Sequence, residues 1–263
     1  MVTSSFSHIL ESQFKNFETS KQRYEDILTW AERVKEFASP ENVLLNAPDP
    51  IEYGHLIHIC GNAFIVAMLN TMKGHIFFGE AIARVGVDAI IEMAIIEADI
   101  AKHLQVWKNY NYSNPRNADW AQIKSAYNEV FMQRNRGRHD YSSFIKNDER
   151  TEIIDRWLAL SHSGSHVNFV QTAMNTRFEN SGGIPVMHTG LFDIENAGGN
   201  DIGISMVYLI DTYFILAIIS SRILTRRNAN LKLTTAELES AYREWFEFKA
   251  KKAHAFGIRQ PTP

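Results

Sequence analysis

Residues 204–219 read ISMVYLIDTYFILAII, an apolar run with one charge, Asp211, at its middle. Whether this run crosses a membrane or fills a core decides the fold. A spanning helix needs about 20 apolar residues, and this one is shorter and is followed by Ser220, Ser221 and Arg222. A carboxylate at the centre of a span costs roughly 3 kcal/mol on insertion scales. The run therefore reads as the buried helix of a helical protein, and no membrane span is expected.

Upstream, residues 51–110 read as two long helices broken near Lys73-Gly74-His75. Ala, Ile and Met dominate them and strand-like alternation is absent. The second is apolar almost all round, apart from one polar stripe, Glu80, Arg84, Asp88 and Glu92. Four-residue steps stack those side chains on one face and allow successive ion pairs. Further out, Phe6, Leu10, Phe14, Phe17, Tyr24, Leu28, Val34 and Phe37 describe one N-terminal amphipathic helix within 1–37. Pro40, Pro48 and Pro50 then mark a connecting loop.

Residues 111–118, NYSNPRNA, form a turn-rich loop before a helix from Asp119 toward Gln133. An irregular stretch follows at 134–144. Helix is expected again from Thr151 to Leu160, with its pattern continuing toward Phe178. Residues 180–203 form a glycine-rich loop too long for a routine connection. Thr234 and Glu237 make a capping box for a last helix carrying Leu238, Tyr242, Trp245 and Phe246. The expected fold is all-α: a single helical domain over 1–263, an irregular bundle of seven or eight helices around two apolar ones near 76–104 and 204–224.

The 45% hydrophobic and 22% charged fractions are those of a globular chain with enough apolar material for a core. A net charge of −3 at pH 7 argues against coating nucleic acid by bulk charge, and no DNA partner is expected. Cys60 is the only cysteine, which excludes an intrachain disulfide and a thiolate zinc site. The N-terminus lacks the pattern of a signal peptide, so a reducing, cytoplasmic location is expected.

Six residues lie in or beside strongly apolar segments: Arg84, Asp88, Ser161, His162, His166 and Asp211. Were they to converge, they would make a buried polar cluster whose charges must be paired. Such a cluster holds an anionic ligand or fixes helix register, and the residue types serve either role. His162 and His166 have zinc-like spacing, but Gly164 stands where a glutamate is wanted, and no metal or other cofactor is expected. Glu52-x-x-His55 is a lone Glu-x-x-His, short of what a diiron bundle requires. No GxSxG elbow, GK[ST] or GxGxxG motif occurs.

The sharpest chemical motif is Arg134-Asn135-Arg136-Gly137-Arg138-His139. It resembles the Arg-Asn-x-x-x-His signature of the HEPN superfamily, helical bundles that include metal-independent ribonucleases. The resemblance implies His139 as acid/base, Arg134 as the phosphate-binding residue and Asn135 as an orienting group. It also implies an RNA substrate, a homodimer with the site at its interface, and a role in bacterial stress or phage defence. Histidine suits proton transfer near neutral pH, and arginine clamps phosphate oxygens. The same residues also read as a basic loop between two helices.

A second resemblance covers about residues 76–224. Arg84-x-x-x-Asp88, followed by Trp157-Leu158-Ala159-Leu160-Ser161-x-x-x-x-His166, is similar to a family of uncharacterised bacterial helical proteins. This chain has Asp88 where that family usually has glutamate. The alternative function implied is a non-catalytic helical module that binds a small ligand or a partner protein.

Overall fold

A computed structural model describes residues 6–38, 46, 48–116, 118–131, 176–181, 184–189, 200–227 and 229–252. Among the described residues the fold is all-α apart from one short β-hairpin. Among the described residues there are eight helices: α1 (Phe6–Arg23), α2 (Glu25–Ala38), α3 (Glu52–Met72), α4 (Ile76–Ala98), α5 (Ile100–Tyr112), α6 (Trp120–Phe131), α7 (Asn200–Arg226) and α8 (Thr235–Lys252).

The expected N-terminal helix is two, parted at Tyr24; both halves touch α3, and the second also packs on α7. In α1, Gln13 bonds His75 at 2.8 Å, Asn16 donates to the Lys73 carbonyl at 3.3 Å, and Ser20 donates to the Met72 carbonyl at 2.9 Å. The last two satisfy carbonyls at the C-terminal end of α3, where intrahelical donors run out. Ser20→Ala, which leaves the buried Met72 carbonyl without that donor, is expected to lower unfolding stability by about 1 kcal/mol. Chemical denaturation measures it, and an unchanged midpoint would remove α1's claim to cap α3. The other half, α2, packs on α7 and α8 through Trp30 and Phe37, with Trp30 rings 6.3 Å from Phe214 and 5.5 Å from Trp245.

The break at 73–75 falls where the sequence places it. Gly74 has φ 89°, the left-handed conformation that glycine adopts without penalty. The His75 N–H donates to the Asn70 carbonyl and the Gly74 N–H to the Thr71 carbonyl, both at 2.9 Å. That pair of bonds is a Schellman ending. A further break, at Asp99, divides the long second helix into α4 and α5. The Asp99 side chain accepts the Lys102 N–H at 3.3 Å, an N-cap that starts a new helix. The capping box of α8 forms as its spacing requires: the Glu237 carboxylate accepts the Thr234 N–H at 2.7 Å, and the Thr234 hydroxyl accepts the Glu237 N–H at 3.3 Å. The Thr234 N–H, then its hydroxyl, hold the Glu237 carboxyl below its ordinary pKa.

α7 runs through the middle, against α2, α3, α4 and α8. Both α3 and α7 are long and apolar enough to cross a membrane by length and composition, but 89% of the α7 window is buried inside the protein, against 56% for α3. Close seating of α4 depends on two glycines one heptad apart. A Cβ on Gly79 would collide with the Thr71 side chain and come within 2.8 Å of the Ala67 carbonyl on α3. A Cβ on Gly86 would collide with the Tyr213 hydroxyl on α7 and lie 2.9 Å from its Cζ.

Part of the expected glycine-rich loop is ordered secondary structure. β1 (Thr176–Ser181) and β2 (Ile184–Thr189) pair antiparallel, with Ser181 opposite Ile184 and Phe178 opposite Met187. Thr176 to Phe178 is thus strand rather than the end of a helix. In the sequence, Gly-Gly at 182–183 is a two-residue hairpin signal. At the far end, residues 200–203 belong to α7. The helix expected at 151–160 lies outside the described residues.

Candidate functional site

The polar stripe of α4 divides its labour. Arg84 and Asp88 form the expected ion pair, Nε to Oδ2 at 3.6 Å, each with a little over a quarter of its side chain exposed. Glu80 accepts from the Ser205 hydroxyl at 3.5 Å, toward α7. Glu92 accepts the Trp107 indole N–H at 2.8 Å and the Tyr127 hydroxyl at 2.5 Å, tying α4 to α5 and α6. The stripe thus holds one ion pair at its centre, and its two ends also make helix-to-helix hydrogen bonds.

Asp211 is buried and faces α8. Its Oδ1 accepts the Trp245 indole N–H at 2.5 Å and its Oδ2 takes the Lys249 ammonium at 2.6 Å. Tyr213, two residues on, is the side chain turned toward α4, where its hydroxyl donates to the Ala83 carbonyl at 3.1 Å. Residues two apart on a helix point roughly 200° apart, so Asp211 faces away from the Arg84–Asp88 pair. Of the six residues of the expected cluster, the structure joins Arg84 with Asp88 and commits Asp211 to the α7–α8 contact. Ser161, His162 and His166 lie outside the described residues, as do Arg134, Asn135 and His139.

A second set of charges, which the sequence reading passed over, meets where α4 and α7 end and α3 and α5 begin. Glu97, near the end of α4, has a side chain only 1% exposed. It accepts the Tyr53 hydroxyl at 2.7 Å and the Arg227 Nε–H at 2.8 Å, with the Arg226 Nε at 3.6 Å from its other oxygen. Glu52, in the first turn of α3, has a side chain 5% exposed and takes the Lys108 ammonium at 2.9 Å on Oε1. Burial, then the Glu97 carboxylate, raise the Tyr53 phenol far above its ordinary pKa, so it stays a donor. The hydrogen bond to Glu97 also raises the Arg227 guanidinium pKa. The available sequence signal was the rarity itself: a glutamate inside IIEADI must find cations, and Arg226-Arg227 stand at the end of the other apolar helix.

Beside these pairs lies a cavity of about 310 Å³ lined by Asp49, Pro50, Ile100, Ala101, Leu104, Gln105, Lys108 and Arg227. Among the described residues no group of three or more His, Cys, Asp and Glu is placed to hold a metal ion. Cys60 is buried, and burial raises its thiol well above the ordinary pKa, which keeps it from acting as a thiolate nucleophile. Compared with known proteins, the chain matches no family model, no curated protein and no solved structure.

Proposed function

We propose that this chain is a HEPN-like helical protein acting on RNA as a homodimer, with His139 as the proton carrier and Arg134 as the phosphate clamp. The observation that carries the reading is Arg134-Asn135-x-x-x-His139 in a chain whose described core is an all-α bundle. In the reaction, His139 takes the proton of a ribose 2′-hydroxyl, whose oxygen attacks the adjacent phosphorus. The bond to the 5′-oxygen breaks, leaving a 2′,3′-cyclic phosphate and a 5′-hydroxyl that receives a proton. Arg134 offsets the charge that builds on the phosphorane oxygens, and Asn135 orients the imidazole or the substrate. No metal enters this scheme. By the same resemblance, a cytoplasmic role in bacterial stress or phage defence is proposed.

The test is cleavage of a mixed RNA pool with a chelator present, by wild type, His139→Ala and His166→Ala. Cleavage by wild type and His166→Ala, with loss in His139→Ala alone and cyclic-phosphate ends on the products, is the expected result. An intact pool with folded wild-type protein would overturn the nuclease reading. It would leave the ligand-binding module, with the Arg84–Asp88 pair as its first place to look.

A further inference from the structure

Glu97 lies about 20 Å further along the α4 axis than Arg84, so the cavity beside it is a separate place in the molecule. Its walls combine three kinds of surface. Pro50, Ile100, Ala101 and Leu104 supply an apolar side. Lys108 and Arg227 supply cations, each anchored by a buried carboxylate, Glu52 or Glu97. Asp49 supplies an anion on the cavity wall itself, and Gln105 an amide.

The anchoring leaves donors over. Arg227 spends Nε on Glu97, and its terminal nitrogens make no hydrogen bond to the described protein.

The signs of the lining charges narrow the occupant: among the described residues, the cavity wall sets Asp49 against Lys108 and Arg227. A bare anion would have Asp49 against it, and a bare cation would have Lys108 and Arg227 against it. A molecule with both charges and a short apolar tail meets every wall.

We propose that this cavity binds a small zwitterion of the α-amino-acid type, its carboxylate on Arg227 and Lys108, its ammonium toward Asp49, and its side chain against Ile100 and Leu104. Planar carboxylate recognition by a guanidinium fork is the strongest such contact. The inference is independent of the RNA reading, since it uses none of the motif residues.

Calorimetric titration of the full chain tests it with L-leucine and two half-molecules, 4-methylpentanoate and 3-methylbutylamine. Saturable binding of leucine is expected, with each half-molecule weaker by roughly tenfold or more, since each lacks one charge-assisted contact. Ala101 is an exposed residue of α5 on the cavity wall, so Ala101→Leu fills the space without straining the helix. It is expected to abolish leucine binding at an unchanged unfolding midpoint. Asp49→Asn should bring leucine down to the level of 4-methylpentanoate. Three results would each overturn the proposal: no saturable leucine binding by folded wild type, 4-methylpentanoate binding as tightly as leucine, or leucine binding retained in folded Ala101→Leu.

Discussion

Glu97→Ala is expected to lower the unfolding free energy by about 3 kcal/mol, because removing one member of a buried charge cluster strands the others. The Tyr53 hydroxyl, on a fully buried ring, loses its acceptor, and Arg227 loses the carboxylate that holds it over the end of α4. The cost sits at the low end of the range for broken buried pairs. The Arg227 and Arg226 side chains are 30% and 54% exposed, and water takes up part of what each loses. Glu97→Gln keeps an acceptor for Tyr53 while removing the charge, and should cost roughly half as much. Arg226→Ala, which removes the cation more exposed and more distant from Glu97, is expected to cost less than Glu97→Ala. Urea denaturation of the three variants separates these effects. If Glu97→Ala and Arg226→Ala were equally mild, Glu97 would not be the hub of this end of the bundle.

Gly86→Ala is expected to destabilise the protein by about 2 kcal/mol, against the sign that helix propensity predicts. Alanine in place of glycine within a helix is ordinarily favourable by about 1 kcal/mol. Here the new methyl would meet the Tyr213 ring and hydroxyl, and forced repacking in a close-packed core costs roughly 1–3 kcal/mol or more. Tyr213 has little room to withdraw: it is fully buried, packs 4.7 Å from the Phe64 ring and donates to the Ala83 carbonyl. Gly86→Ala combined with Tyr213→Phe removes the atom nearest the new methyl. The double variant should recover part of the loss, giving a coupling energy of about 1 kcal/mol. Additive effects in thermal or denaturant unfolding would mean that α4 and α7 move apart there at little cost.

Several elements were legible because their signals are local. The turn at Lys73-Gly74-His75 needs a residue tolerant of positive φ, and Gly74 is one. The box joining Thr234 and Glu237 is a matter of three-residue spacing, and α7 is announced by its apolar run. Asp99 was equally local in principle, an N-cap aspartate, but the apolar pattern on both sides of it masked the break. The hairpin was missed because period gives little guidance in short, mixed segments, and Gly182-Gly183 is a turn signal only when the flanking residues are already read as strands.

The candidate sites show where sequence stops. That 204–219 is helical follows from its apolar run, but its place in the core rests on the packing that buries it, since α7 is long and apolar enough to span a membrane; that Glu97 and Asp211 need partners follows from the cost of burying a charge alone. Which partners they take does not follow. Asp211 meets Trp245 and Lys249 because Tyr213 occupies the opposite face of α7, and Glu97 meets Tyr53 and Arg227 because α3, α4 and α7 bring those ends together. Periodicity places a side chain on a face of its own helix; only the packing of helices decides what stands opposite, since a helix tolerates many rotations and neighbours with the same local pattern.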